Sequence, residues 1–457
     1  MDIEYAQLAG EAYTGTLSWD ILEELVEVEG GNRMAGQRGE KAATELMRST
    51  FEELGLQDIE VEPFEIGGWW RESSSLTLSA PRDRTFIGRH EIIALPATPS
   101  GIVEAELVDL GVGTPGDFED ADIDGKIVVV GASDDVPKGY ERRFHRTEKY
   151  YRAIAGGAAG FLYWAPLEGC LPSTGWISFE FTGVGEIPAC GISKEVASRL
   201  RRYCSKRTVK GELQIQCENA PTTSQNVEAV VGPDTNSEVL VTAHVDAHDM
   251  GEGAIDNGVG CALVAEIGRL LVKFESDLET RVRLIAFGAE EAGSLGAKHW
   301  VADRGGDHVK SVVNLDGLGH ERTLDVATCG FEPFADVFES IGEELSIPIE
   351  IDPDLALFAD QWPFVEQGIP GLEAKSIRDD DDRRWGLGRL WSHTDGDTLD
   401  KLDVRDLREL VVPITAAVLK LAETDRDVPH KTQAEVIAGI DPGTEEALRT
   451  TDRWKWD

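Results

Sequence analysis

The sequence predicts an α/β fold, a doubly wound and mostly parallel sheet with a β-rich domain inserted into it, and three observations carry that prediction. Apolar runs of strand length occur at Val239-Leu240-Val241-Thr242, Leu284-Ile285-Ala286-Phe287 and Val312-Val313-Asn314-Leu315, with the look of buried strands. Between the first two runs, Leu263, Ile267, Leu270, Leu271 and Phe274 fall on one side of a helix that opens at Gly258, the spacing of an amphipathic helix. Strand, helix, strand in that order implies parallel pairing through right-handed crossovers. The third observation is a different texture from about Phe64 to Thr223, which interrupts this pattern.

In chain order, residues 1–63 read as the amino-terminal part of the main domain, 64–223 as the insert, 224–425 as the catalytic domain and 426–457 as a carboxyl-terminal tail. A chain of 457 residues is too long for one small core, so two domains with appendages are expected. The insert holds Val108-Asp109-Leu110-Gly111, a strand-like run from Ile127 to Val130, a Gly/Ala stretch from Ala155 to Gly160 and Ile187-Pro188-Ala189-Cys190. The Gly/Ala stretch suits a tight turn from helix to strand. After Asp403, the residues Leu407, Leu410, Val411, Ile414, Val418 and Leu421 mark a closing helix, in which Pro413 argues for a kink or a later start. The tail is polar and poorly periodic and ends in Trp454-Lys455-Trp456-Asp457. It is expected either to be loose or to dock through its tryptophans.

Five short stretches carry the chemistry: His244-Val245-Asp246, Asp256-Asn257-Gly258, Glu290-Glu291, Asp316-Gly317 and His393-Thr394. A lone His-x-Asp or Glu-Glu pair is ordinarily a solvated surface feature, and Asp-Asn-Gly ordinarily a turn before a helix. Three of the five follow the ends of expected parallel strands, where ligands gather in such sheets, and that reverses the weighting. Paired zinc ions want imidazoles, carboxylates that bridge or terminate, and one carboxylate left to handle a proton. The assignment places Asp256 as the bridge, Glu291 and His393 on one zinc ion and His244 and Asp316 on the other, about 3.5–4 Å apart as two-metal sites are. Glu290 is left as general base, and Asp246 as the partner that fixes the His244 imidazole. His248, His299, His308 and His320 read as ordinary polar residues, of which His248 and His320 at most line the cleft. Trp362, Trp385 and Trp391 are either pocket walls or packing, and the run from Asp379 to Arg384 a solvated loop.

At these residues the chain resembles metallopeptidase family M28, the zinc aminopeptidases and their carboxypeptidase relatives. The likeness extends through Ala243 to Asp246, Gly253 to Gly260, Ala289 to Gly296, Asn314-Leu315-Asp316, Trp362-Pro363-Phe364 and His393-Thr394 with Asp397-Thr398. Gly31 through Leu56 looks like the family's opening helix. The resemblance implies two zinc ions per chain on His244, Asp256, Glu291, Asp316 and His393, with Glu290 as base and Asp246 behind the ligands. The insert resembles the protease-associated domain and is expected to roof the cleft. Two departures stand out: no tyrosine follows Tyr203 to stabilise an oxyanion as in many members, which leaves the zinc ions, His320, Trp391 or the insert, and the family's Ser-Asp-His triplet is here Ala359-Asp360-Gln361. An aminopeptidase acting on peptides is the leading expectation. A carboxypeptidase or amidohydrolase of the family, or a non-catalytic receptor-like relative, is the alternative. Asp360 or the group Arg383, Arg384 and Arg389 would meet the substrate's terminal charge. Cobalt or manganese would suit the same ligands.

The net charge of −41, from 85 acidic against 44 basic residues, exceeds what a metal site needs. It resembles the surfaces of proteins from extreme halophiles, where salt screens self-repulsion, and it makes nucleic acid and anionic membranes poor partners. The start, Met1-Asp2-Ile3-Glu4-Tyr5, lacks a secretory pattern, and no stretch has the length of a membrane span, so a cytoplasmic protein is expected. The six cysteines then read as reduced thiols, with a disulfide in the insert as the alternative. Assembly, as a monomer or a homo-oligomer, stays open.

Overall fold

The computed structural model describes residues 5–79, 83–133, 136–178, 184–377 and 391–456. The Asp379 to Arg384 run, Trp385 and Arg389 lie outside these. The chain divides into two units, one formed by Met1–Glu65, Thr223–Arg383 and Asp397–Ile440, the other by Ile66–Thr222, Arg384–Gly396 and Asp441–Asp457.

In the first unit the strands lie in the order Ile349–Asp352, Thr323–Ala327, Gly371–Ile377, Val309–Leu315, Glu238–His244, Arg281–Phe287 and the end of Val209–Val231. The four neighbours Gly371–Ile377, Val309–Leu315, Glu238–His244 and Arg281–Phe287 are parallel. The last pairs antiparallel with Val209–Val231, and Thr323–Ala327 antiparallel with Gly371–Ile377. Alternate residues along each strand serve opposite layers. Leu240, Ile285, Phe287 and Val312 join Trp300, Val301 and Phe364 in one core cluster, where each fully buried large apolar side chain contributes roughly 1.5–3 kcal/mol. Leu284 faces the other way, against the helix Val259–Lys273, so closely that a Cβ added at Gly268 would stand 2.7 Å from its Cδ1. The helices Leu17–Glu27 and Val404–Leu421 pack on Val259–Lys273.

Four local readings need adjustment. Val259–Lys273 is buried nearly all round rather than along one stripe, and its inward Glu266 is paired with Arg269 at 2.7 Å. The helix Val404–Leu421 begins directly after the Asp403 cap, whose carboxylate accepts the Arg405 N–H, and it includes Pro413. Residues 32–37 are not helical; the helix of the Gly31 to Leu56 stretch is Arg38–Glu53, and the helices Tyr5–Thr14 and Leu17–Glu27 precede it. The tail is ordered, with helices Gln433–Ala438 and Pro442–Thr450 capped by Thr432 and Asp441.

In the second unit, Gly101–Asp109, Ile127–Gly131, Gly160–Trp164 and Ala189–Ile192 form a parallel set. Antiparallel strands flank it, the beginning of Val209–Val231 on one side and Ile92–Ala94 on the other. The helix Arg146–Ala155 packs on Gly160–Trp164 and Lys194–Cys204 on Gly101–Asp109. The Gly/Ala stretch makes the expected helix-to-strand turn: Gly157 has φ +76, and a Cβ there would meet Asp124 Oδ1 at 2.6 Å, a position that favours glycine. All six cysteines are free thiols. Among the described residues no helix is long and apolar enough to cross a membrane.

Candidate metal centre

Three neighbouring parallel strands deliver most of the site at their carboxyl ends. His244 is the last residue of Glu238–His244, opposite Phe287 in register. Glu290 and Glu291 follow Arg281–Phe287 by one turn, and Asp316 follows Val309–Leu315 directly. Asp256 comes from the turn before Val259–Lys273, where the buried Asp397 carboxylate accepts the N–H groups of Ile255 and Asp256 at 2.7 and 3.1 Å. Burial pushes Asp397 up to about 7 despite those N–H partners. Asn257 donates to Leu315 O and accepts from Gly260 N, tying the turn to the Asp316 strand.

His244 is the hub. Its Nδ1 faces the Asp246 backbone oxygen at 3.0 Å and Asp246 Oδ1 at 3.4 Å. Its Nε2 faces Asp256 Oδ1 at 3.2 Å, Asp316 Oδ1 at 3.8 Å and Glu290 Oε2 at 3.9 Å. Burial works against its charged form, yet the carboxylates of Asp246, Asp256 and Asp316 prevail and hold it well above the ordinary imidazole range. Burial drives Glu290 well above the usual carboxylate range; His244 opposes this, and the negative charges of Asp360, Glu291 and Asp316 add to it. So many buried carboxylates around one imidazole form a donor set in want of cations. One ligand atom from each of His244, Asp256 and Asp316 lies within 4.8 Å of the others, and oxygen donors with an imidazole suit zinc.

Asp246 does more than face the imidazole. Its fully buried carboxylate accepts the N–H groups of Glu290 at 2.9 Å and Glu291 at 3.2 Å. The turn between His244 and Asp256 is braced by Arg33, a buried guanidinium donating to the carbonyls of Val245, Leu25, Glu252 and Gly253 at 2.8–3.2 Å. Arg33 lies in the stretch that carries the family likeness, but nothing near it in sequence reveals the carbonyls it meets.

His248, which the sequence suggests at most lines the cleft, has its Nε2 2.9 Å from Glu291 Oε2. Its spacing of four from His244 in a His-x-Asp-x-His string was the available signal. His393 belongs to the second unit, with φ +59 and its Nδ1 3.3 Å from the Thr174 carbonyl. His299 pairs with Glu62 and stacks on Phe64, while His308 faces Glu238, both structural roles. His320 Nδ1 is 3.4 Å from Ser376 Oγ. Trp362 is buried and Trp391 packs on Gly396. Asp360 is fully buried, and burial raises its carboxyl well above the usual range. Gln361 accepts from Asn314 Nδ2 at 3.1 Å, and Asn314 in turn accepts from Thr242 Oγ1 at 2.7 Å, so the altered triplet links strand ends beneath the site.

The chain is similar to known proteins along most of its length. Residues 226–418 match peptidase family M28 and residues 103–200 match the PA domain. Aminopeptidase YwaD of Bacillus subtilis is 29% identical over 418 residues, 87% of this chain and 82% of its own. Carboxypeptidase Q of Xenopus laevis is 27% identical over 384 residues, 81% and 78% of the two chains. The solved structure of BSAP, a zinc aminopeptidase from Bacillus subtilis, gives a TM-score of 0.67 at 26% identity, covering 88% of this chain and 94% of its own. A peptidase M28 precursor from Shewanella amazonensis gives 0.76 at 24% identity, covering 93% and 98%, a likeness of fold alone.

Proposed function

We propose that this chain, which belongs to peptidase family M28 and is a metallopeptidase, is a co-catalytic two-zinc exopeptidase that releases amino-terminal residues from peptides. The observation that carries the reading is the convergence of the Asp256, Asp316 and Glu290 carboxylates on His244 Nε2. Asp256 is assigned as the bridge and His244 with Asp316 to one zinc ion. Glu291 and His393 are assigned to the other on the residue pattern alone. When bound, the zinc ions polarise the scissile carbonyl and make hydroxide available near neutral pH.

Glu290 is the base in this reading. Its carboxylate stands among the ligand candidates, Ser294 Oγ is 3.4 Å from its Oε1, and its backbone is fixed by Asp246. From there it takes a proton from the attacking water and returns it to the leaving amine. The amino-terminal preference rests on the aminopeptidase names among the relatives. Carboxypeptidase Q, at similar identity, supports the second reading.

A peptide set separates them: one sequence with both ends free, one with the amino terminus acetylated and one with the carboxyl terminus amidated, each assayed on zinc-loaded protein whose metal content is measured. Cleavage of the first and third with a zinc-to-chain ratio near two is expected. Cleavage of the acetylated and not the amidated peptide would replace the aminopeptidase reading with the carboxypeptidase one. A ratio near one would overturn the paired centre.

A further inference from the structure

The helix Arg38–Glu53 carries in its first turn a carboxylate whose work lies outside the helix. Glu40 is completely buried. Its Oε2 accepts the Gly36 N–H at 2.6 Å, which resembles an ordinary bond closing the start of a helix. A residue serving only its own helix would stop there. Its Oε1 instead accepts the Ser224 hydroxyl at 2.6 Å and the Ala289 N–H at 3.0 Å, across 249 residues of sequence. Ala289 directly precedes the two glutamates and has φ +55, a left-handed conformation that a non-glycine residue keeps only when its surroundings impose it. The next two N–H groups, of Glu290 and Glu291, go to Asp246. Two carboxylates from distant parts of the chain therefore hold three successive N–H groups of one loop, as a concave run of amides holds an anion. Gly288 lets Glu40 in: a Cβ there would stand 2.9 Å from Glu40 Oε1 and 2.5 Å from the Gln225 carbonyl oxygen.

We propose that Glu40 is a positioning residue for the Glu290–Glu291 loop, setting through the Ala289 N–H the direction in which the base and the adjacent ligand candidate leave the backbone. The proposal rests on the reading of Glu290 and Glu291 given above. Glu40 touches neither substrate nor metal in this account. Its effect should fall on turnover more than on substrate binding, because a displaced base weakens an interaction made in the transition state.

The experiment compares the full-length wild type with Glu40→Ala and Glu40→Gln. Each is characterised by kcat and KM on a cleaved peptide, by zinc content, and by amide hydrogen exchange of the peptide spanning residues 288–294. Glu40→Ala is expected to lower kcat about 10–100-fold, the usual effect of losing a group that orients a metal site's residues from behind, with KM nearly unchanged and exchange in 288–294 accelerated. Glu40→Gln keeps an oxygen for Ala289 and Ser224 while facing Gly36 with a donor, so it should recover part of both losses. If Glu40→Ala does not fold, Glu40→Gln carries the comparison, with slower turnover and faster exchange than wild type expected. A variant that is folded, merely less stable, and unchanged in kcat and in 288–294 exchange would overturn the proposal. Absence of peptide cleavage by wild type would defeat the functional reading, whereas unchanged exchange in both variants would defeat the role of Glu40 independently.

Discussion

At the scale of single residues, the site places different demands on two neighbouring glutamates. Glu290 stands 3.9 Å from His244 Nε2 among carboxylates, and Glu291 meets His248 at 2.9 Å. If Glu290 is the proton carrier and not a ligand, Glu290→Gln should lower kcat by about 10²–10⁴ while zinc content by elemental analysis stays at the wild-type value. Loss of zinc in that variant would make Glu290 a ligand instead. His248 has the complementary expectation. Because its Nε2 lies 2.9 Å from Glu291 Oε2, His248→Ala should weaken zinc binding about 10–100-fold in a chelator competition titration. An unchanged affinity would reduce the pair to a contact of the metal-free protein. The glutamate pair was legible in the sequence because it follows a strand pattern in a recognisable string. Arg33 and Glu40 were not, since each acts through partners that only the fold brings close: four carbonyls, and an amide 249 residues away.

At the scale of elements, the strands were readable because buried parallel strands are short β-branched runs, and three of the five stretches follow their carboxyl ends, which puts His244, Glu290 and Asp316 on one rim. What escaped was whatever depends on tertiary neighbours. The helix Val259–Lys273 is covered on nearly all sides by others, so its apolar stripe understated its burial. The tail helix Pro442–Thr450 did advertise itself through Asp441 as cap and Pro442 in its first turn, a start signal that outweighs weak periodicity in so short an element. The junction of Arg281–Phe287 with the helix Leu295–Arg304 is tighter than its sequence shows. Gly296 donates to Gly288 O at 3.0 Å, and Asn226 bonds both Gly288 N and Gly296 O. A Cβ at Gly296 would stand 2.4 Å from Gly288 O and from Asn226 Oδ1. Backbone on one side leaves little room to yield, so Gly296→Ala should cost about 1–3 kcal/mol, read from urea midpoints. An unaltered midpoint would mean that the loop bearing Glu290 and Glu291 moves freely against this helix.

At the scale of the whole molecule, charge is the dominant feature, and three arginines are committed to buried carboxylates. Arg283 reaches both Glu228 and Glu238, Arg281 joins Glu238, and Arg304 joins Glu228, whose other oxygen accepts the Trp300 indole N–H at 2.8 Å. With 44 cations against 85 carboxylates, the surplus that such pairs leave over is negative and repels itself in the folded state more than in an expanded chain. That repulsion acts over about 30 Å at 0.01 M salt and about 3 Å at 1 M. Raising sodium chloride across that range should therefore raise Tm, each 1 kcal/mol of relieved repulsion being worth about 2–4 °C in a domain of 150–250 residues. Screening also makes a prediction about mechanism. At equal ionic strength chloride and sulfate should act alike if charge repulsion is relieved, whereas sulfate should be much the stronger if exclusion of salt from apolar surface is responsible. A Tm that does not respond to sodium chloride would show that the fold tolerates its charge unaided, and a response to sulfate alone would assign the effect to burial of apolar surface.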